Sequence, residues 1–197
     1  MSQKTLGGML RAMIALLFVA IAVQSAAVVI PAVAESSAAP TARDGHKDFD
    51  FLLGTWRTHY RLLKVRLKNN HQWYDCYGTS DVRPFWGGYG NLEDGDLRCS
   101  GSHIIGMTLR MYSARTHQWS LWWGTKTRGL VPPPQVGHFD EKGVGQFYAP
   151  DKHEGKPIVV RFKWQLLPGN HPYFEQAYSP DDGKTWETNW TTVYTRT

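Results

Sequence analysis

The stretch DFDFLLGTWRTHYR, Asp48 to Arg61, is the first part of this chain that reads as folded protein. An apolar run breaks at Gly54-Thr55-Trp56 and a two-residue alternation follows. Trp56, Thr58, Tyr60 and Leu62 fall on one side, and Arg57, His59, Arg61 and Leu63 on the other. Successive side chains of a strand point to opposite faces, so this pattern predicts a strand with one buried face. The same period recurs downstream. Ile105, Met107, Leu109 and Met111 alternate with Gly106, Thr108, Arg110 and Tyr112, and Trp119, Leu121 and Trp123 share a face. Ile158, Val160, Phe162, Trp164 and Leu166 oppose Val159, Arg161, Lys163 and Gln165. Near the end Trp186, Thr188, Trp190, Thr192, Tyr194 and Arg196 share one parity, which turns Glu187 and Asn189 outward. Helical periodicity is almost absent. The turn sequences KNN, SART, DEKG, PGNHP and SPDDGK separate the runs at short intervals. Consecutive strands joined by short turns pair antiparallel, and closing such a meander removes its edges. The expected fold is all-β, a closed antiparallel up-and-down barrel of about 8–10 strands.

Upstream of Asp48 the chain changes character. Lys4 and Arg11 precede an almost unbroken apolar stretch from Ala12 to Ile30, and PAVAES follows with small residues at Ala32 and Ala34. Those flanks are the marks of a secretory signal peptide over residues 1–34, cut after Ala34. The rival reading is a permanent membrane anchor, since the stretch is nearly long enough to span a bilayer. Residues 35–47 read as an Ala, Ser and Pro linker, and 48–197 as the barrel domain. The whole chain carries a net charge of +5, and loss of Lys4 and Arg11 with the leader reduces it to +3. The remaining basic residues are scattered, densest at Arg57, Arg61, Lys64, Arg66 and Lys68, and read as a solvated strand face rather than a nucleic-acid patch. A periplasmic or secreted protein with no stable membrane anchor after cleavage is expected, its oligomeric state left open. Two cysteines, Cys76 and Cys99, form an even count in an exported chain and point to one disulfide, two free thiols being the alternative. Neither thiol has ligand spacing, so no metal site is expected. The interval between them, including PFWGGYGNLEDGD, reads as a mobile loop at the open end of the barrel, with Trp86 and Tyr89 as a lid.

FLLGTW at the head of a meander, together with Arg196 near the end of TNWTTVYTRT, resembles the opening and closing of calycin-type barrels: lipocalins, fatty-acid-binding proteins and nitrobindin-like proteins. In those folds a Trp just after a Gly starts the first strand and plugs the closed end, with a basic residue of the last strand lying across the indole. The resemblance implies that Trp56 is a structural plug and that Arg196 packs on it. The series DFDFLLGTWR, GMTLRMYSARTHQWSLWW, PPPQVGHF, VRFKW and WETNW is also similar to an uncharacterised bacterial family related to the DUF1579 group. Nitrobindin-like proteins hold haem through a late His. Here the last strand WETNWTTVYTR has none, and His153 and His171 sit beside turn residues, so neither haem nor another cofactor is expected.

Aromatic density carries the functional reading. The chain has nine Trp, nine Tyr and eight Phe, and many fall on one strand face. With that face inward, Trp119, Trp123, Phe162, Trp164, Trp190 and Tyr194 line a lumen together with Met107 and Leu109, a wall suited to a flat or apolar small molecule. A barrel filled solidly by the same side chains is the alternative. His138, set between three prolines and a Gly-rich turn, is the histidine best placed to orient a ligand or act as a general base. Glu175 is the candidate acid, and inside the barrel it would need a partner such as Arg161. SPDDGKTW fits the Asp-box pattern of sialidases, but a single copy specifies a turn and not a propeller. No nucleophile elbow, P-loop or His-Glu-x-x-His motif occurs. The expected function is binding of a small hydrophobic or aromatic ligand. A lumen enzyme of isomerase, cyclase or decarboxylase type, using His138 or Glu175, is the alternative. A structural envelope role would need an exposed apolar surface, which no run of the sequence suggests.

Overall fold

Why a Trp sits where the first strand begins is answered by what surrounds it. A computed structural model describes residues 43–197; the expected leader, the expected cleavage site and most of the expected linker lie outside the described residues. Eleven strands follow a 3-10 turn at Asp50–Leu52: β1 (Gly54–Leu63), β2 (Trp73–Phe85), β3 (Gly90–Cys99), β4 (Ser102–Ser113), β5 (Gln118–Thr125), β6 (Gly129–Leu130), β7 (Gln135–Phe139), β8 (Gly145–His153), β9 (Lys156–Leu167), β10 (His171–Ser179) and β11 (Glu187–Arg196). They pair antiparallel in the order β4-β3-β2-β1-β11-β10-β9-β8-β7-β5, and β4 pairs with β5 to close a ten-stranded barrel. The short β6 and β7 run along one edge of β5, interrupted by Val131 to Pro134. Prolines cannot donate to a ladder, which accounts for the gap.

One end of the barrel is stoppered by the chain that precedes β1. Phe49 and Leu52 are fully buried there with Trp56, Trp119, Phe139 and Phe147. Phe49 meets Trp119 and Phe139 edge-on at 5.0 and 4.9 Å, the geometry favoured by aromatic quadrupoles. The Trp56 indole N–H donates to the Leu52 carbonyl at 2.7 Å, and the Arg196 guanidinium lies over the ring, 3.8 Å from its centre. Arg196 also donates to the Leu53 carbonyl at 2.8 Å. The packed chain begins before Asp48, inside the segment read as linker. Gly45 is buried, its N–H donates to the Tyr112 hydroxyl, and its carbonyl accepts the Trp119 indole N–H.

Cys76 and Cys99 face each other across β2 and β3 and form a disulfide, at the end of the barrel remote from Trp56. The interval between them is not a mobile loop. Most of it is the β2–β3 hairpin, and its turn at Trp86–Gly88 lies at the stoppered end, where Lys47 donates to the Gly87 carbonyl and Tyr89 stacks on His46. Trp86 and Tyr89 therefore form no lid over an open end. The SPDDGKTW turn joins β10 to β11. The Asp181 carboxylate accepts from the Thr185 N–H and hydroxyl, Ser179 Oγ accepts from the Gly183 N–H, and Asp182 and Gly183 take positive φ. Those bonds hold Asp181 down at about 2, below its ordinary 3.8.

Two strand faces differ from the sequence reading. On β4 the inward side chains are Thr108, Arg110 and Tyr112, while Met107 and Leu109 face outward. Leu109 has Leu92 and Trp122 as its cross-strand partners, so these apolar side chains meet on the outer surface of β3, β4 and β5 and not in the lumen. On β11 the register slips at Gln176/Ala177, opposite Asn189. The extra residue of this bulge is turned from the solvent side into the wall, and Asn189 is 0% exposed.

Candidate functional site

Between the stopper and the disulfide-bearing end the lumen keeps a cavity of about 60 Å³, measured as room for the centres of water-sized spheres. That is space for a few waters or one small ring system, and far less than a drug-sized pocket. Its walls differ. Trp123 on β5, Phe162 and Trp164 on β9 and Phe174 on β10 make an aromatic side. Phe174 packs against Phe162 at 5.1 Å and Trp164 at 4.9 Å. Tyr60, Glu93, Thr108, Thr192 and Tyr194, from β1, β3, β4 and β11, make a polar side. Trp190 closes the gap between the two, edge-on to Trp123 at 6.0 Å, with its indole N–H given to Thr192.

Beneath the polar side lies a buried ion pair. Arg110 is 0% exposed and donates to Glu93, which is 6% exposed, and to the Asn91 amide oxygen at 3.0 Å. The guanidinium packs against two rings that meet edge-on, 5.2 Å from Phe49 and 4.8 Å from Trp164. Glu93 Oε1 accepts two further bonds, from Ser80 at 2.7 Å and from the Tyr194 hydroxyl at 2.9 Å. Burial, and then the neighbouring Glu93 charge, push the Tyr194 phenol well above its ordinary range, and Tyr60 is raised by the same two causes. Both phenols therefore stay neutral at physiological pH. Trp164 Nε1 and Arg110 Nε are buried without a protein partner.

Of the residues expected to line the lumen, Trp123, Phe162, Trp164, Trp190 and Tyr194 border the cavity. Trp119 does not; it is part of the stopper. His138 and Glu175 are both corrections. His138 is exposed on the outer face of β7, because alternation gives the inward positions to Gly137 and Phe139 through their close packing. Glu175 lies on the outer face of β10 beside Arg161 at 2.9 Å, and Arg161 in turn caps Trp186 at 4.6 Å. Neither reaches the cavity. The residues that were missed include Glu93, Arg110 and the glycines Gly95 and Gly106, together with Tyr60, Thr108, Phe174, Gln176 and Thr192 of the lining. A signal was present: Arg110 is the only charge between Ile104 and Tyr112 on an otherwise apolar strand, and an isolated charge in such a setting needs a buried partner. Among the described residues no cluster of three His, Cys, Asp or Glu could hold a metal, and no helix is long and apolar enough to cross a membrane.

No protein-family model matches the chain, and no curated protein matches it in sequence. Among solved structures, an S-type phycobiliprotein lyase, CPES from Guillardia theta, aligns with a TM-score of 0.49 at 12% identity, covering 76% of this chain and 90% of that one.

Proposed function

We propose that this protein is an exported, calycin-like barrel that binds a small planar aromatic or hydrophobic molecule in its lumen. The observation that carries the proposal is the cavity itself: a ring-sized space with indoles and phenyl groups on one side and hydroxyls and a carboxylate on the other. Apolar walls with a few convergent polar groups are the usual composition of a small-molecule site. Export is supported by the apolar leader and by the disulfide, a bond that persists in oxidising compartments. The likeness to the DUF1579-related family belongs to the same proposal and rests on the sequence series quoted above. His138 and Glu175, on which a lumen enzyme would depend, lie on the outer face of β7 and β10.

Protein purified from its native envelope should release a stoichiometric aromatic compound on extraction with organic solvent, identified by mass spectrometry. Protein that releases nothing, and whose melting temperature no small aromatic compound raises, would be a filled barrel, and the proposal would fail.

A further inference from the structure

We infer that the lumen is selective for a neutral aromatic bearing an N–H or O–H donor, a phenol or an indole, and that Glu93 receives that donor beside Gly95. This rests on the binding function proposed above and names its ligand class.

Gly95 and Gly106 face each other as Cα partners on β3 and β4 and both border the cavity. Neither has positive φ, so the backbone does not demand glycine at either place. Gly106 has a packing reason: a Cβ there would come within 2.2 Å of the Trp123 ring, which lies over it. Gly95 has none. A Cβ there would meet nothing closer than 3.6 Å, an ordinary contact, while glycine inside a strand is destabilising. The protein's own packing leaves Gly95 unexplained, and a notch without a side chain opens beside Gly106 and the Trp123 ring that covers it.

Glu93 is the next residue on the same inward face of β3. A carboxylate offers about four acceptor positions. Ser80, Tyr194 and Arg110 use three of those on Glu93, which leaves one for the cavity. Arg110 balances the charge of Glu93, so the remaining position suits a neutral donor and not a cation. No Lys, Arg or His borders the cavity, so an anionic ligand would meet a carboxylate and no counter-charge. Burying this ion pair in an aromatic barrel offers little stability over an apolar pair, so stability alone does not account for it.

The test is calorimetric titration of the full exported protein with indole, with indene, which keeps the fused rings but lacks the N–H, and with benzoate. Indole should bind at least about tenfold more tightly than indene, because a site built around a donor leaves its acceptor unpaired without one, and benzoate should be excluded. Gly95→Val should keep the melting temperature and weaken indole and indene alike by about tenfold or more, by filling the notch. Gly95→Ala serves the same purpose should Val lower the melting temperature. Equal binding of indole and indene would overturn donor recognition while leaving the barrel a binding protein. Unchanged binding in a folded Gly95 variant would remove the notch from the site. No binding of any probe would overturn the inference, and the extraction experiment would then decide the binding function separately.

Discussion

Trp56 shows how much one side chain does at the end of a barrel. Its ring is buried on one face by the stopper, its N–H is satisfied by Leu52, and its other face is covered by a guanidinium. Trp56→Ala should cost about 3–5 kcal/mol, the range for emptying a buried aromatic site. Arg196→Ala removes the charge–ring contact together with the hydrogen bond to the Leu53 carbonyl and should cost about 1–2 kcal/mol. Urea denaturation of both variants gives the comparison, and an Arg196 effect equal to that of Trp56 would make the cation the true stopper. At the opposite end Asp181 is a local acid sensor. Its folded value of about 2 lies below the ordinary 3.8, so its stabilising contribution is present above pH 4 and is lost as pH falls toward 2. Asp181→Asn removes the contribution at neutral pH. The gap in melting temperature between wild type and variant should therefore narrow as pH falls from 4 to 2, as read by thermal scans.

The strands were legible because a period of two survives in a chain where one face is buried. What alternation leaves open is which face turns inward when both are apolar. On β4 the inward set holds Thr108 and Arg110 and the outward set Met107 and Leu109, the reverse of a hydropathy reading. The neighbours decide it: Arg110 has Glu93 and Asn91 inside, and Leu109 has Leu92 and Trp122 outside. A single bulge likewise carries Asn189 out of the parity of its strand, where it accepts from Gln176 at 2.7 Å. Glycines mark where strands press closest. A Cβ on Gly137 would lie 1.9 Å from the Gln146 carbonyl oxygen, and backbone on the neighbouring strand β8 cannot step aside as a side chain does. Gly137→Ala should cost at least about 1–3 kcal/mol by overpacking, measured by chemical denaturation. A neutral result would show that β7 is loosely held.

For the molecule as a whole, the buried ion pair is the feature with the greatest reach, because it ties β3 and β4 to the stopper through Phe49 and to the far wall through Trp164. Arg110→Met leaves Glu93 buried and uncompensated and should cost about 3–5 kcal/mol. Arg110→Met combined with Glu93→Leu should recover most of that loss, since an apolar pair has no desolvation to offset. A double variant less stable than the single would mean that the pair organises the barrel and is not chiefly a recognition group. The alkaline limit follows from the same region. Tyr60 and Tyr194 are raised in the folded state, so their stabilising contribution is full below the ordinary phenol value near 10 and declines as pH rises past it. Tyr60→Phe should shift alkaline unfolding to higher pH, followed by circular dichroism.

By itself the sequence determined an all-β barrel, the strands around Trp56, Met107, Trp119, Phe162 and Trp190 and the aromatic character of its lumen, and it pointed to a Cys76–Cys99 bond. All of these depend on local period, turn chemistry and composition, which need no knowledge of distant neighbours. Only the tertiary structure decided that Arg110 and Glu93 lie inside, that His138 and Glu175 lie on the outer face, and that a side chain at Gly95 would meet only ordinary contacts. Those assignments depend on which strand is laid beside which and in what register. A side chain's surroundings are contributed by residues far away in the chain, and a charge is bearable inside only when its partner arrives from another strand.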